Sequence, residues 1–592
     1  MENKVCKQCN ADFVVEDEDL KFLDKVSPEF GGKKYNIPSP TLCSHCRLQR
    51  RLAWRNVRSL YRRKSDLTGR DLVSLFAPNS PFKTYHISEI NSDNFDAIAY
   101  GQDYDLNSRF FDQWRELQLK VPRAHASVDL DSMENSEFVN LAISAKNDYM
   151  CFGVARVEDS YFCDSVWDSQ KCMDCYFCSS CENSYQLVDC KNIYQGYYCR
   201  NCDNCREIIL SIDLIGCQNC FGCAGLRNKQ YCLNNIQLSK EDYEKKVAAI
   251  KLNKESLVVE EIKLREIYVK LPQRYTRNFN VENSSGDFLA NCRNCRYSFD
   301  LNGAENSHYC NTVLNGVRDN MDVAFSADSI ELGYEGIITS MNAYLVRFSA
   351  ICFPGDRNIM YCDSCSHSSN LFGCVGLKRK QYCILNKQYS REEYETLVPK
   401  IIEKMMASGE WGEFFPLNCA PYAYNETTAN EWYPLKKEQA VALGANWQDE
   451  DYGLKYDGSF YQPEDVGSYD PKQNQAAEVK LNELLEGIIK CEVSGKPFRV
   501  ISQEVAFYIE HGLPIPTRHP NERYKERVGW RRPRRLYQRQ CMCEGQGSSG
   551  KDQVSSSVCT HEGRCPNEFE TTYAPERSEK VYCELCYQKS IL

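Results

Sequence analysis

The pairs Cys6-x2-Cys9 and Cys43-x2-Cys46 are the residues of this chain best spaced for chemistry. Two such knuckles let tight backbone turns present paired thiolates, and four thiolates complete the tetrahedron of a structural zinc ion. A second set lies near the other end. Cys565 is followed by Cys583-x2-Cys586, with Cys559 or His561 as fourth ligand and Cys541 and Cys543 as alternatives. About two structural zinc ions are therefore expected. A catalytic zinc would keep an open position beside a general base. The sequence singles out no such base and no other catalytic residue, so the expected class is non-enzymatic.

Both sets belong to modules that recur at the two ends. Cys491, Ser494, Phe498 and Phe507 follow Cys6, Cys9, Phe13 and Phe22 at an offset of 485, and His519 and Glu522 follow Cys43 and Cys46 at 476. Further on, Tyr582 and Cys583 match Tyr85 and His86, while Glu89 stands where Cys586 would be. Each end thus reads as two tandem zinc ribbons with one fully equipped member. Cys491, Ser494, His519 and Glu522 read as a relic held by packing.

Next to each knuckle lies a basic arm. Residues 47–64 carry eight basic residues and no acidic one, and residues 518–539 carry nine basic and two acidic, against a net charge of −10 for the whole chain. With no Pro or Gly from position 46 to 68, a helix is expected there. It would align Arg47, Arg51, Arg55, Arg58 and Arg62 in one stripe, repeated as Arg523, Arg527, Arg531 and Arg534. A stripe without local carboxylates suits phosphate contacts, so nucleic acid is the expected partner, RNA slightly ahead of DNA. The competing reading pairs these arginines with the acidic body.

The elements that must carry these sites are repetitive. Residues 221–250 and 372–401 share 17 of 30 positions, so the middle is duplicated. Every cysteine from Cys151 to Cys232 lies a multiple of three from every other, and Val, Ser, Leu, Ile and Gly fill the same phase elsewhere. A cluster ligand does not tolerate Val or Leu, whereas a small buried side chain does. The thiols therefore read as core, and iron–sulfur ligation by Cys172, Cys175, Cys178 and Cys181 as the rival. A three-residue phase fits neither helix nor simple strand. With Asp174, Asp189, Asn201, Asn204, Asn219, Asn291 and Asn294 before cysteines, at positions suited to left-handed corners, it predicts a β-solenoid of unstated coil length. Ser390-x-x-Glu393 and Ser239-x-x-Asp242 should start the helices that cap it.

The expected fold is mainly β: a duplicated, cysteine-rich β-solenoid with capping helices, flanked by tandem zinc-ribbon modules at both ends. Its parts would be an N-terminal ribbon module (1–100), a connector (101–130), two solenoid blocks (131–270 and 271–410), an aromatic-rich segment and linker (411–490) and a C-terminal ribbon module (491–592). With 34 cysteines, a polar start and no long apolar run, reduced thiols, a cytoplasmic location and no membrane partner are expected.

Residues 416–435 (PLNCAPYAYNETTANEWYPL), 498–508 (FRVISQEVAFY), 513–543 (LPIPTRHPNERYKERVGWRRPRRLYQRQCMC) and 565–588 (CPNEFETTYAPERSEKVYCELCYQ) resemble an uncharacterised family of cysteine-rich zinc-ribbon proteins from candidate-phylum bacteria. Its members usually carry cysteines where this chain has Ser65, Ser494, His519 and Glu522, which counts against metal in those two ribbons. The resemblance implies no activity. The leading functional expectation is a scaffold binding nucleic acid through its arms. A protein-interaction scaffold using the solenoid surface, and a redox protein using the central thiols, are the alternatives.

Overall fold

Every third residue from position 135 to 234 adopts a left-handed backbone conformation, and from Asn135 to Gly225 the residue after each one points inward. Parallel pairing joins each residue to the one twelve further on, as in Ala155 with Trp167 and Cys220 with Cys232. One coil therefore holds twelve residues: four sides of three, each side giving one inward side chain. Two backbone hydrogen bonds per side link neighbouring coils, illustrated by Phe152 N–H to Cys163 O at 3.0 Å and Gly153 N–H to Asn140 O at 3.0 Å. A left-handed corner costs about 1–2 kcal/mol for a residue other than Gly. Asn and Asp bear it best, and Asp174, Asp189, Asn201, Asn204, Asn219, Asn291 and Asn294 all occupy such corners.

Four side chains meeting inside so short a coil must be small, hence the cysteines. Each thiol also donates to main chain, Cys163 Sγ to Tyr161 O at 3.5 Å and to Cys172 O at 3.4 Å. Serines in the same phase donate likewise, and they accept from the inward N–H one coil on, as Ser160 Oγ does from Cys172 at 3.1 Å. Cys205 Sγ does the same for Cys217 N–H at 3.4 Å. Cysteine and serine interchange here because both satisfy a core-facing backbone group that Val or Leu leaves to others.

The computed structural model describes residues 1–472, 474–545, 561 and 563–591. It is mainly β, with two such solenoids in succession forming a ten-stranded and an eleven-stranded sheet. The second is less regular. Its pairing steps are eleven residues at Phe279 with Ala290, thirteen from Ala304 with Val317 onward, and twelve again at Arg357 with Ser369. The extra residue enters at one corner, where Asn315 and Gly316, then Asp328 and Ser329, then Met341 and Asn342 form consecutive left-handed pairs.

Eight of the longer helices pack around the solenoids: α1 (Asp17–Val26), α2 (Ser44–Leu52), α3 (Phe110–Lys120), α4 (Lys240–Ala248), α5 (Lys254–Tyr268), α6 (Arg391–Ser408), α7 (Ser502–His511) and α8 (Pro520–Trp530). Ser239 and Ser390 cap α4 and α6 as their sequences predict. The long helix expected over 46–68 is instead α2 alone. Asn56 folds into a side-chain turn with Ser59, and Tyr61–Lys64 then becomes a strand paired with Asp71–Ser74. The aromatics after position 411 join the main core, where Phe415 packs on Trp114 at 4.1 Å and Trp54 at 4.9 Å. Among the described residues no helix is long and apolar enough to cross a membrane.

Each solenoid also buries one carboxyl in an inward position. Asp148 and Asp356 accept the N–H of Ser160 and Ser368 one coil on, at 2.8 and 2.9 Å. Burial pushes both carboxyls up to about 8. Their folded values lie above the unfolded value of about 3.9, so their contribution is complete below about pH 4 and is lost as pH rises towards about 8. We expect stability to urea to fall by up to about 1.4 kcal/mol per pH unit per group across that window. Asp148→Asn and Asp356→Asn together should flatten the profile; parallel profiles for variant and wild type would refute the assignment.

Candidate metal centres and the arginine arms

At the N-terminus, the strands Glu2–Val5 and Asp12–Val15 carry the first knuckle at their turn, and the second knuckle opens α2. The sulfurs of Cys6, Cys9, Cys43 and Cys46 all lie within 4.8 Å of one another. Cys9 and Cys43 are 3.7 Å apart. Metal–sulfur bonds of about 2.3 Å at tetrahedral angles put sulfurs about 3.8 Å apart, whereas a disulfide needs about 2.05 Å. Hydrogen bonding, first from Cys46, brings the Cys43 thiol down to about 4, towards the thiolate a metal requires. These four residues can hold a metal ion.

The C-terminal group is Cys541, Cys565, Cys583 and Cys586, all buried and again within 4.8 Å of one another. Cys586 lies 3.7 Å and Cys583 4.0 Å from Cys565. The fourth sulfur is thus Cys541, the alternative in the sequence reading; Cys559 lies outside the described residues. His561 does not complete this tetrahedron but stands beside it, its Nε2 3.4 Å from Cys586 Sγ. Burial raises the Cys583 thiol, yet donation by the Asn567 amide at 3.4 Å and by the Cys586 N–H leaves it below its ordinary value.

The remaining ribbon at each end keeps its shape through hydrogen bonds. Tyr61–Lys64 pairs with Asp71–Ser74 in the register that joins Tyr537–Gln540 to Glu568–Thr571. Ser65, Thr68, His86 and Glu89 therefore occupy the places of Cys541, Cys565, Cys583 and Cys586. Glu89 stands in for the metal's bonding: it accepts from Ser65 at 2.6 Å, from Thr68 at 2.5 Å and from the His86 N–H at 2.8 Å. In the other relic, Cys491 Sγ accepts from the His519 N–H at 3.2 Å and the Ser494 N–H at 3.4 Å, and Glu522 turns out to Lys525.

The arginine stripes are not the solvent-facing track their spacing predicts. Of the nine, only Arg62 is exposed. Arg47 and Arg51 bind Asp322 at 2.8 and 3.0 Å, Arg51 also binds Glu335 at 2.7 Å, and both carboxylates sit at left-handed corners of the second solenoid. Arg55 lies over the Phe325 ring at 3.7 Å, and Arg58 over Tyr524 at 3.9 Å, with Asp164 at 3.6 Å. The C-terminal stripe repeats this on the first solenoid. Arg523 and Arg527 bind Asp174 at 2.8 and 2.7 Å, and Arg531 lies over Phe177 at 4.0 Å. Arg531 and Arg534 share Asp300 at 2.5 and 2.6 Å. The partner charges absent from the local sequence lie far away in it, on the solenoid corners.

Three pairs of these contacts are equivalent: those of Arg47 and Arg523, Arg51 and Arg527, and Arg55 and Arg531. Arginines 476 positions apart meet Asp322 and Asp174, or Phe325 and Phe177, which are 148 apart. The helices beside them agree, Phe22 of α1 against Tyr334 at 6.1 Å and Phe507 of α7 against Tyr185 at 6.4 Å. Meanwhile Thr84–Tyr85 pairs with Arg123–Ala124 at the entrance to the first solenoid, and Val581–Tyr582 with Gln273–Arg274 at the entrance to the second. Each ribbon module thus heads one solenoid and clasps the other. Burial raises the Glu335 carboxyl, but Arg51, Arg50 and Arg47 outweigh it and hold it below the ordinary range.

The central thiols keep their core role. Cys172 and Cys181 donate to main-chain carbonyls, and among the described residues the thiol groupings compact enough for a metal are the terminal ones. No protein-family model matches the chain, and no curated protein is significantly similar to it.

Sequence reasoning missed the solenoid carboxylates that receive the arginines. Their signal was the Asp before the core phase, which reads equally as corner chemistry. Arg51→Met should destabilise the chain by about 3–5 kcal/mol in urea titration, because it strands buried carboxylate. Arg62→Glu should change stability by less than about 0.5 kcal/mol; equal effects would contradict the clasp. Cys43→Ser should cost about one metal ion per chain in elemental analysis, and Ser65→Ala none.

Proposed function

We propose that this chain is a zinc-stapled protein-interaction scaffold. Zinc fits closed, buried four-thiolate sites, and its role there is to hold ribbons that place the clasps. Most of the stripe arginines are spent on the protein's own carboxylates and rings, so nucleic-acid binding through them is not part of this reading.

The observation that carries the proposal is a groove of about 990 Å³ between α1 and the flank of the second solenoid. An amide ladder runs along it: Asn283 donates to Asn294 at 3.0 Å, Asn294 to Asn306 at 3.1 Å and Asn306 to Asp319 at 2.9 Å. Each ladder amide keeps a second N–H and a second lone pair for a ligand. Lys21, Phe22 and Tyr275 line the same groove, giving a charge and two rings beside a polar floor. This surface suits an extended polar segment of a partner protein, with main-chain groups read by the amides.

Purified, nuclease-treated protein titrated with labelled mixed-sequence RNA and DNA should bind neither tightly at any salt concentration. A cross-linker placed on Lys25 should capture a partner polypeptide, lost in Lys21→Trp at the groove mouth and retained in Lys245→Trp on α4. A steep salt dependence with nucleic acid, or capture indifferent to Lys21→Trp, would overturn the reading.

A further inference from the structure

Four thiolates close the tetrahedron formed by Cys541, Cys565, Cys583 and Cys586, which leaves no position on that ion for Cys543 or His561. Yet Cys543 Sγ, a ring nitrogen of His561 and Cys586 Sγ all lie within 4.8 Å of one another. The imidazole is oriented. Its Nδ1 lies 2.9 Å from Gly563 O, a carbonyl that can only accept, so Nδ1 carries the proton and Nε2 presents its lone pair. That lone pair faces Cys586 Sγ at 3.4 Å.

Cys586, once ligated to the first ion, is a thiolate with no proton to offer. Two electron-rich atoms then face each other, and the arrangement needs a cation between them. Metal–nitrogen and metal–sulfur bonds of about 2.0 and 2.3 Å at a tetrahedral angle put N and S about 3.5 Å apart, matching the observed spacing. The backbone is shaped for it as well. Gly545, at φ +70°, lies against the turn carrying His561, where a Cβ would sit 2.4 Å from His561 O and 2.7 Å from Nδ1. The carbonyl on Nδ1 is the kind of outer partner that fixes a metal-binding histidine.

We propose that the C-terminal module holds a second metal ion, bound by Cys543, His561 and Cys586, with the Cys586 thiolate bridging the two ions. A thiolate–imidazole set selects zinc or a similarly soft divalent cation. Four thiolates around a divalent ion carry a net charge of about −2, which favours a second cation alongside. Three protein ligands leave this ion one further position, unlike the closed N-terminal site.

Native mass spectrometry of the full-length chain, with elemental analysis of the same sample, should find three metal ions per chain, one for each group. Cys543→Ser and His561→Gln should each remove one ion and leave the two four-thiolate sites filled. Two ions in the unmodified chain, or an unchanged count in both variants, would overturn the proposal in favour of an imidazolium hydrogen-bonded to the thiolate. Because a variant can misfold, the unmodified chain loaded with 113Cd gives an independent reading. Three resonances are expected, two of them coupled through the shared sulfur; two uncoupled resonances would exclude the bridge.

Discussion

Three residues per side is the constraint on which the rest of this molecule depends. It allows one inward side chain per side and forces one left-handed corner per side, so the core must be built from small residues and the corners from residues that tolerate positive φ. Cysteine meets the first demand while its thiol still serves a backbone carbonyl. Asn and Asp meet the second. The corners then gain a further use, because a left-handed residue projects its side chain away from the coil. Asparagines at successive corners bond one another into ladders, and aspartates at other corners offer carboxylate to whatever packs outside.

What packs outside is the arms. A buried guanidinium–carboxylate pair gains little net free energy over an apolar contact, but losing one partner is costly, so such pairs enforce register more than they add stability. Here they fix where each ribbon module sits on the opposite solenoid, with Asp322 and Asp174 as equivalent anchor points. The metal sites act at one remove. With metal bound they would fix the turn that opens α2 and the turns beside the C-terminal strands; in the matching ribbons that lack four cysteines, Glu89 or the Cys491 thiol closes the turn by hydrogen bonds alone.

The solenoid was legible in sequence because its period is unusual and strictly kept: one phase across fourteen cysteines, with Asn or Asp before many of them. Coil length was not, since a three-residue period is compatible with any number of sides, and only the partner of a residue such as Ala155 reveals four. The N-terminal ligands were legible as two regular knuckles. Cys541 was harder, because Cys541-x-Cys543 breaks knuckle spacing and the two cysteines fall into different groupings. The arginine stripes show the deeper limit. Spacing identifies which residues share a face, yet the sign and distance of what that face meets belong to the tertiary fold, and Asp322 lies 275 positions from Arg47.

The crossed docking also sets a schedule for synthesis. The corner carboxylate of Asp174 is made early, but Arg523 and Arg527, which neutralise it, leave the ribosome some 350 residues later. At about 5–20 residues per second the first solenoid spends on the order of a minute or less with that docking face bare. The N-terminal arm waits likewise for the coils that carry Asp322 and Glu335. A nascent chain of this design therefore displays acidic and basic surfaces that are meant for each other and are temporarily apart. Both solenoids are complete by Gln388, so a chain stopped before Arg523 would present them without their second clasp.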